Sequence, residues 1–78
     1  MIIEWSQRAR SSARRYLADQ DGMRAVGVAV ARLVADPYPA TGFHRGEYHR
    51  LQVGDYRMVY VVESEVITVV RVDRMTSL

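Results

Sequence analysis

The chain lacks cysteine and lysine altogether, and it holds only two prolines in 78 residues. The absence of cysteine excludes a disulfide framework, a thiolate metal site and a cysteine nucleophile. No apolar run approaches the ~18 residues that a membrane-spanning helix needs, and residues 1–5 are typical of a strand rather than of a basic-then-apolar export signal. We therefore expect a soluble, cytoplasmic protein that makes no membrane contact.

All eleven basic residues are arginine, and the formal net charge is only +2. A charge this small does not establish a nucleic-acid partner. The arginine bias fits a GC-rich genome equally well as a surface for phosphate or carboxylate, which a planar guanidinium grips with two hydrogen bonds. The sequence leaves both interpretations open.

Length and composition indicate a single domain over residues 1–78. Hydrophobic residues make up 49% of the chain and charged residues 26%, which is typical of a globular protein. A chain this short hides only roughly 60% of the surface that its unfolded form exposes. We therefore expect a packed core but modest stability.

Two helices are predicted in the first half of the chain. Ser6 is a good N-cap for a helix over about 7–20, which carries an apolar stripe with basic margins. Asp21-Gly22 predicts a break, with the glycine as a left-handed stop. A more apolar second helix is predicted over about 23–35, and Pro37 prevents its continuation.

From residue 47 onward the hydrophobic period changes to two, and β-branched and aromatic residues dominate. Gly54-Asp55 and Ser64-Glu65 are short polar pairs between apolar runs, which predicts tight hairpins. The predicted strands are about 47–53, 56–63 and 66–73, after a loop over 42–46. The fold class is α+β: an N-terminal strand and a two-helix hairpin packed on a curved antiparallel sheet of three to four strands.

The two-residue turn at Gly54-Asp55 sorts the strand residues into two faces, because directly paired residues share a face. The face predicted to receive the helices carries His49, Leu51, Val53, Tyr56, Met58, Tyr60, Val62, Ile67 and Val69. The other face is predicted to carry Tyr48, Arg50, Gln52, Arg57, Val59, Val61, Val70 and Val72. Cations beside an aromatic ring suit phosphate contacts and base stacking in single-stranded RNA, although the outer face of a covered sheet is ordinarily polar.

The run from Arg45 to Tyr60, RGEYHRLQVGDYRMVY, resembles the central motif of the RelE/ParE toxins. That motif has an arginine-glycine, strand residues ending in glycine-aspartate-tyrosine-arginine, and an apolar triplet ending in tyrosine. The helix pair before it and the tail 69–74 follow the family's order. The resemblance implies the RelE/ParE fold and a cognate antitoxin that binds the chain in a hetero-oligomer.

The resemblance also implies one of two activities. Members of the RelE branch are ribosome-dependent endoribonucleases that cut messenger RNA, whereas the ParE branch poisons DNA gyrase. We favour the messenger RNA endoribonuclease, with the ribosome and messenger RNA as partners. The alternatives are a non-enzymatic gyrase inhibitor and a degenerate domain that only binds its antitoxin.

The resemblance assigns roles to particular residues. The catalytic residues that it implies are Arg50, Arg57 and Arg74, and the RNA-binding residues are Tyr48, Gln52, Arg45 and His44. Tyr48 and Gln52 stand where relatives carry basic residues, and Arg74 matches either a histidine or an arginine of the family's tail. Residues 75–78 depart from many nuclease members, since they lack a histidine-arginine pair and a closing tyrosine.

Cleavage of RNA by the neighbouring 2′-hydroxyl needs a base, an acid and stabilisation of the crowded phosphate. Arginine serves the last role but is a poor base, since its pKa exceeds ~12. A proton acceptor would be Glu47, His49, His44 or a ribosomal RNA group, and alternation turns Glu47 and His49 toward the helices. Two isolated histidines and the absence of a nucleotide-binding glycine loop lead us to expect neither a metal nor a cofactor.

Overall fold

The computed structural model describes residues 1–75 as two helices packed on one face of a five-stranded sheet. The elements, in chain order, are β1 (Ile2–Trp5), α1 (Gln7–Arg14), α2 (Gln20–Arg32), β2 (Phe43–Arg45), β3 (Tyr48–Val53), β4 (Tyr56–Glu63) and β5 (Val66–Arg74). The spatial order of the strands is β1-β5-β4-β3-β2. The predicted α+β class is confirmed, with one strand more than expected. Among the described residues, neither helix is long and apolar enough to span a membrane.

The sheet is mixed rather than wholly antiparallel. β1 pairs in parallel with β5, from Ile2 opposite Val66 to Trp5 opposite Val69, whereas the other pairings are antiparallel. A parallel partner requires a long crossover connection, which here contains both helices and the remaining strands. Because β1 is only four residues long, it pairs with the first half of β5 alone.

Helix α1 covers the second half of the β5 edge, where no strand lies. Ser6 ends β1 and caps α1, since its hydroxyl accepts from Ala9 N and donates to Val70 O. Six residues further along the chain, Ser12 Oγ accepts a hydrogen bond of 3.1 Å from the backbone N–H of Val72. The hydroxyl of Tyr16 accepts at 3.3 Å from the N–H of Arg74. Hydroxyl groups of α1 and of the residues on either side of it thus replace the backbone groups of a missing edge strand.

The junction between the helices lies earlier than predicted. α1 ends at Arg14 and α2 begins at Gln20, because Asp19, not residue 21 or 22, is the N-cap. Asp19 Oδ1 accepts from Gly22 N at 3.0 Å, and its Oδ2 accepts from the Tyr56 hydroxyl at 2.7 Å. Gly22 is therefore in the first turn of α2 and is no left-handed stop. A Cβ on it would overlap the Asp19 carboxylate and come within 2.6 Å of Tyr56 Cε2.

Both predicted hairpin turns are confirmed. Gly54 has φ +59, and Ser64 and Glu65 have φ +50 and +63, the backbone that two-residue hairpin turns require. The first turn sets Gln52 opposite Arg57, as predicted. The predicted loop over 42–46 instead contains strand β2, which a third tight turn at Gly46, φ +60, joins to β3.

A β-bulge in β5 changes the predicted alternation beyond Val69. Val59 pairs with Arg71 and Tyr60 pairs with Val69, so Val70 is an extra residue with no partner of its own on β4. As a result Val72, predicted on the outer face, is fully buried beneath the helices. Arg71 takes its place on the outer face.

The core lies between the sheet and the two helices, on the face predicted to receive them. Its members are Ala9, Val26, Val30, Leu33, Leu51, Tyr56, Met58, Tyr60, Ile67, Val69 and Val72. Each fully buried aliphatic or methionine side chain contributes about 1.5–3 kcal/mol. Because Leu51 and Met58 are buried, Arg50 and Arg57 lie on the opposite face, and the predicted register is confirmed.

Candidate functional site

The sheet face opposite the helices, which we call the outer face, carries arginine and exposed aromatic side chains that could bind a ligand. Its residues follow from the strand pairs Phe43 with Arg50, Arg45 with Tyr48, Gln52 with Arg57, Val59 with Arg71, and Arg57 with Asp73. Four of the five strands therefore place an arginine on this face, namely Arg45, Arg50, Arg57 and Arg71. Phe43 and Tyr48 remain 57% and 49% exposed there, an unusual position for two large aromatic rings.

One cleft of about 440 Å³ opens on this face, and we call it the arginine cleft. Its walls are Arg8, Phe43, Arg45, Tyr48, Arg50 and Arg71, over a floor of Val59 and Val70. Arg8 reaches it from α1, because that helix runs along the edge of β5. The cleft combines four guanidinium groups with two aromatic rings.

A second cleft of about 330 Å³, which we call the Arg57 cleft, lies beside the first. Its walls are Thr41, Phe43, Arg50, Gln52, Arg57 and Met75. Phe43 and Arg50 line both clefts, and the guanidinium carbon of Arg50 lies 4.9 Å from the Phe43 ring centroid. This cation–π pair forms a ridge between the clefts.

Few carboxylates neutralise the outer face. Among the described residues the ion pairs are Arg24 with Asp21, on α2, and Arg71 with Asp73, whose Nε and Oδ2 are 2.9 Å apart. The Nε atoms of Arg57 and Arg71 are both buried without a hydrogen bond of good geometry, although the Asp73 carboxylate lies close to Arg71 Nε. Among the described residues, Arg8, Arg45, Arg50 and Arg57 have no ion-pair partner, so their charges are available to an anion.

Two clusters lie on the helix side instead. At one end of the sheet, the Arg74 guanidinium lies 6.0 Å from the Tyr56 ring, whose hydroxyl donates to Asp19. That hydrogen bond, with the one from Gly22 N, lowers the pKa of Asp19, and it raises the pKa of Tyr56. The cluster connects the helix junction to the ends of β4 and β5.

The second helix-side cluster contains both histidines. His49 stacks on Tyr60 with ring centroids 5.2 Å apart, and His44 and Tyr38 lie 5.6 and 5.2 Å from it. The Tyr60 hydroxyl donates to Pro37 O at 2.8 Å, which fastens the loop after α2 to the sheet. Burial lowers the pKa of His49, and the charge of His44 lowers it further.

Sequence comparison identifies the family to which this architecture belongs. Residues 3–77 match the family described as ParE toxin of type II toxin-antitoxin system, parDE. The chain belongs to that toxin family. Among curated proteins, none matches its sequence.

Solved structures of RelE/ParE toxins share the fold of this toxin at low sequence identity. The isolated E. coli RelE toxin is 17% identical with a TM-score of 0.75, covering 99% of this chain and 86% of RelE. The chromosomal ParDE system of P. aeruginosa is 16% identical with a TM-score of 0.74, and the match covers 97% of each chain. YafQ from E. coli strain BL21(DE3) is 16% identical with a TM-score of 0.72, and the match covers 92% of this chain and 90% of YafQ. These likenesses establish the fold alone.

The structure brings together five of the seven predicted site residues. Arg45, Tyr48, Arg50, Gln52 and Arg57 lie on the outer face of the toxin. Arg74 pairs with Tyr56 and His44 pairs with His49, so both lie on the helix side. His44 is thus a strand residue in the histidine cluster rather than a loop residue near the arginines. Of the predicted departure at residues 75–78, all but Met75 lies outside the described residues.

Three outer-face residues escaped the sequence prediction. Arg71 lies on this face because of the bulge, and the run of valines on both sides of Arg71 gives no sign of a bulge in the sequence. Phe43 arrives through the short strand β2. Arg8 was visible only as one basic margin of α1, and its approach to the cleft depends on how that helix packs along β5.

Proposed function

We propose that this toxin is a messenger RNA endoribonuclease that acts at the ribosome, binds single-stranded RNA across its outer face, and is neutralised by a cognate antitoxin. The observation that carries the proposal is the convergence of Arg8, Arg45, Arg50 and Arg57, none ion-paired among the described residues, beside exposed aromatic rings. Guanidinium groups bind phosphate, and aromatic faces stack on unpaired bases. A surface with both suits single-stranded RNA better than it suits a general anion.

The role of Arg50 and Arg57 in this proposal is electrostatic. During cleavage the ribose 2′-hydroxyl gives its proton to an acceptor and its oxygen bonds to phosphorus, while the bond from phosphorus to the 5′-oxygen breaks and that oxygen takes a proton from water or from the ribosome. Negative charge develops on the phosphoryl oxygens meanwhile. Arg57 lines a cleft and has no ion-pair partner among the described residues, so its guanidinium charge is available to stabilise such an oxygen. The histidines lie on the other side of the sheet, and Glu47, expected on the helix side, lies in the exposed turn between β2 and β3. The proton acceptor in this proposal is therefore a ribosomal RNA group.

Replacement of Arg57 tests this role. Arg57→Ala should lower ribosome-dependent cleavage by roughly 10²–10³-fold, the usual cost of losing a preorganised donor. Arg57→Lys should retain part of the activity, since lysine keeps the charge but loses the two-pronged fork. Arg14→Ala, an exposed arginine of α1 that lines neither cleft, is the matched control. Full cleavage by an Arg50→Ala, Arg57→Ala double variant of normal abundance would refute the assignment.

A gyrase-directed inhibitor is the second candidate function. The observation that favours it is that neither histidine lies beside the outer-face arginines, so among residues 1–75 that face has no imidazole to act as acid or base, and Arg74 is also on the helix side. Inducible expression followed by sequencing of RNA 5′ ends and of gyrase-dependent DNA breaks separates the candidates. Cuts within translated codons support the nuclease, and DNA breaks with intact messenger RNA support the inhibitor. Unaffected growth with neither signal identifies a domain that only binds antitoxin.

The partner in this proposal is a cognate antitoxin. Several solved structures of similar fold are themselves complexes, among them the intact E. coli RelBE toxin-antitoxin complex and a RelBE2 complex from Mycobacterium tuberculosis. In this chain a groove of about 720 Å³ lies between α2 and β3, and Val28 beside it is 47% exposed. Apolar surface of this kind is what a partner protein covers.

A further inference from the structure

The outer face has two neighbouring clefts, although a single catalytic centre would occupy only one of them. Arg57 contributes to one cleft, and Arg8, Arg45 and Arg71 contribute to the other. Helix α1 and strands β2, β3, β4 and β5 all contribute to the arginine cleft. The alternation within one strand does not predict it, and of its arginines the proposed cleavage chemistry uses only Arg50.

The spacing of the clefts suits neighbouring units of one strand. Arg57 and Val59 are two residues apart on β4, and Arg71 lies directly opposite Val59. Two residues of a strand span about 7 Å. A continuous nucleic-acid backbone can therefore place adjacent phosphates in the two clefts, with the ridge of Phe43 and Arg50 between them.

The charges of the arginine cleft favour a strongly anionic ligand. Arg8 and Arg45 have no acidic partner within ion-pair distance among the described residues, and α1 contains no acidic residue. Asp73 neutralises Arg71 alone. Two exposed aromatic rings, Phe43 and Tyr48, border these cations, and aromatic rings beside cations are the combination on which single-stranded bases stack.

We propose that the arginine cleft is a second phosphate subsite, which holds the RNA nucleotide adjacent to the cleaved one while Phe43 stacks on a base. The proposal rests on the proposed function only for the class of ligand. It assigns Arg8, Arg45 and Phe43 as binding residues that do not act on the scissile phosphate. Binding at this subsite fixes the register of the strand across the Arg57 cleft.

The test measures binding of oligouridylate RNA of two and of six nucleotides to the full chain over a range of salt concentrations. Arg8→Ala and Arg45→Ala should each reduce the slope of log affinity against log salt by about 0.7 for the six-nucleotide RNA, the loss of one phosphate contact. For the dinucleotide, which fills one cleft, the effect should be smaller. Phe43→Leu should weaken binding at least about fivefold with an unchanged slope, because stacking releases no counterions.

Two comparisons make the result specific. Arg10→Ala and Arg14→Ala remove the same charge from the exposed part of α1 outside both clefts, so they should leave the slope close to that of the wild type. Arg8→Lys should restore the slope. All these side chains are exposed, and thermal unfolding of each variant confirms that the fold is kept.

The outcomes also separate this inference from the proposed function. Equal slopes for Arg8→Ala and Arg10→Ala, with a loss on Arg57→Ala, overturn the subsite and leave the nuclease proposal standing. A slope change on Arg8→Ala in a chain that cleaves no messenger RNA supports phosphate binding in the arginine cleft and overturns the nuclease, and with it the placement of the cleft beside a cleaved nucleotide. Absence of RNA binding by the wild type, with binding to gyrase protein instead, overturns both.

Discussion

At the scale of single residues, the helix junction depends on two hydrogen bonds to one carboxylate. Asp19 accepts from the backbone of Gly22 and from the hydroxyl of Tyr56, and a Cβ at position 22 would intrude on both partners. Gly22→Ala should therefore lower the free energy of unfolding by about 1–3 kcal/mol through overpacking and a weakened N-cap. Urea denaturation measures the loss.

The matched control for that substitution lies on the same helix. Gly27 is exposed within α2, and nothing lies within 4 Å of a Cβ built on it. Gly27→Ala should raise the free energy of unfolding by about 0.4–1 kcal/mol, since alanine restricts the unfolded chain and favours the helix. Equal effects of the two substitutions would show that residue 22 has no special environment.

At the scale of elements, α1 serves as the second edge partner of β5. Ser12 Oγ accepts from the N–H of Val72, a residue buried in the core. Ser12→Ala leaves that N–H without its acceptor, so we expect a loss of about 1–3 kcal/mol in the free energy of unfolding. Ser11→Ala, an exposed neighbour on the same helix, should change stability by less than about 0.5 kcal/mol. Faster hydrogen exchange at Val72 in the Ser12 variant alone would locate the effect.

The histidine cluster makes the attachment of β2 sensitive to pH. Burial, and then the charge of His44, lowers the pKa of His49 from its ordinary 6.5, so the folded chain favours the neutral ring. The contribution to stability is complete above about pH 6.5 and is lost as the pH falls toward the lowered pKa. Tyr38, His44 and Tyr60 are the titratable side chains that face His49.

We therefore expect the urea midpoint of the wild type to be lower at about pH 5.5 than at about pH 7.5. His49→Phe keeps a ring against Tyr60 but cannot titrate, so its midpoint should change less between the two conditions. An identical change in both proteins would show that other groups cause the dependence. Near-ultraviolet circular dichroism of the tyrosines gives an independent reading of the cluster.

At the scale of the whole molecule, local patterns predicted much of the fold. The positions of Arg50 and Arg57 followed from the sequence because a two-residue turn at Gly54 fixes the pairing of β3 and β4 at short range. The parallel pairing of β1 and the approach of Arg8 to the arginine cleft depend on contacts between segments far apart in the chain. Hydrophobic periodicity contains no information about contacts between distant segments, so these two features could be identified only from the structure.

The bulge at Val70 sets the parity of everything that follows it in β5. With the extra residue, Val72 points into the core and Arg71 points outward, beside the arginines of the other strands. If β5 paired at its full length without the bulge, each side chain after Val70 would change sides, which would bury a guanidinium and expose a valine. Deletion of Val70, by contrast, would remove the bulge and leave Arg71 opposite Val59 and Val72 opposite Met58. The bulge is thus as much a determinant of the outer face as the identity of its arginines.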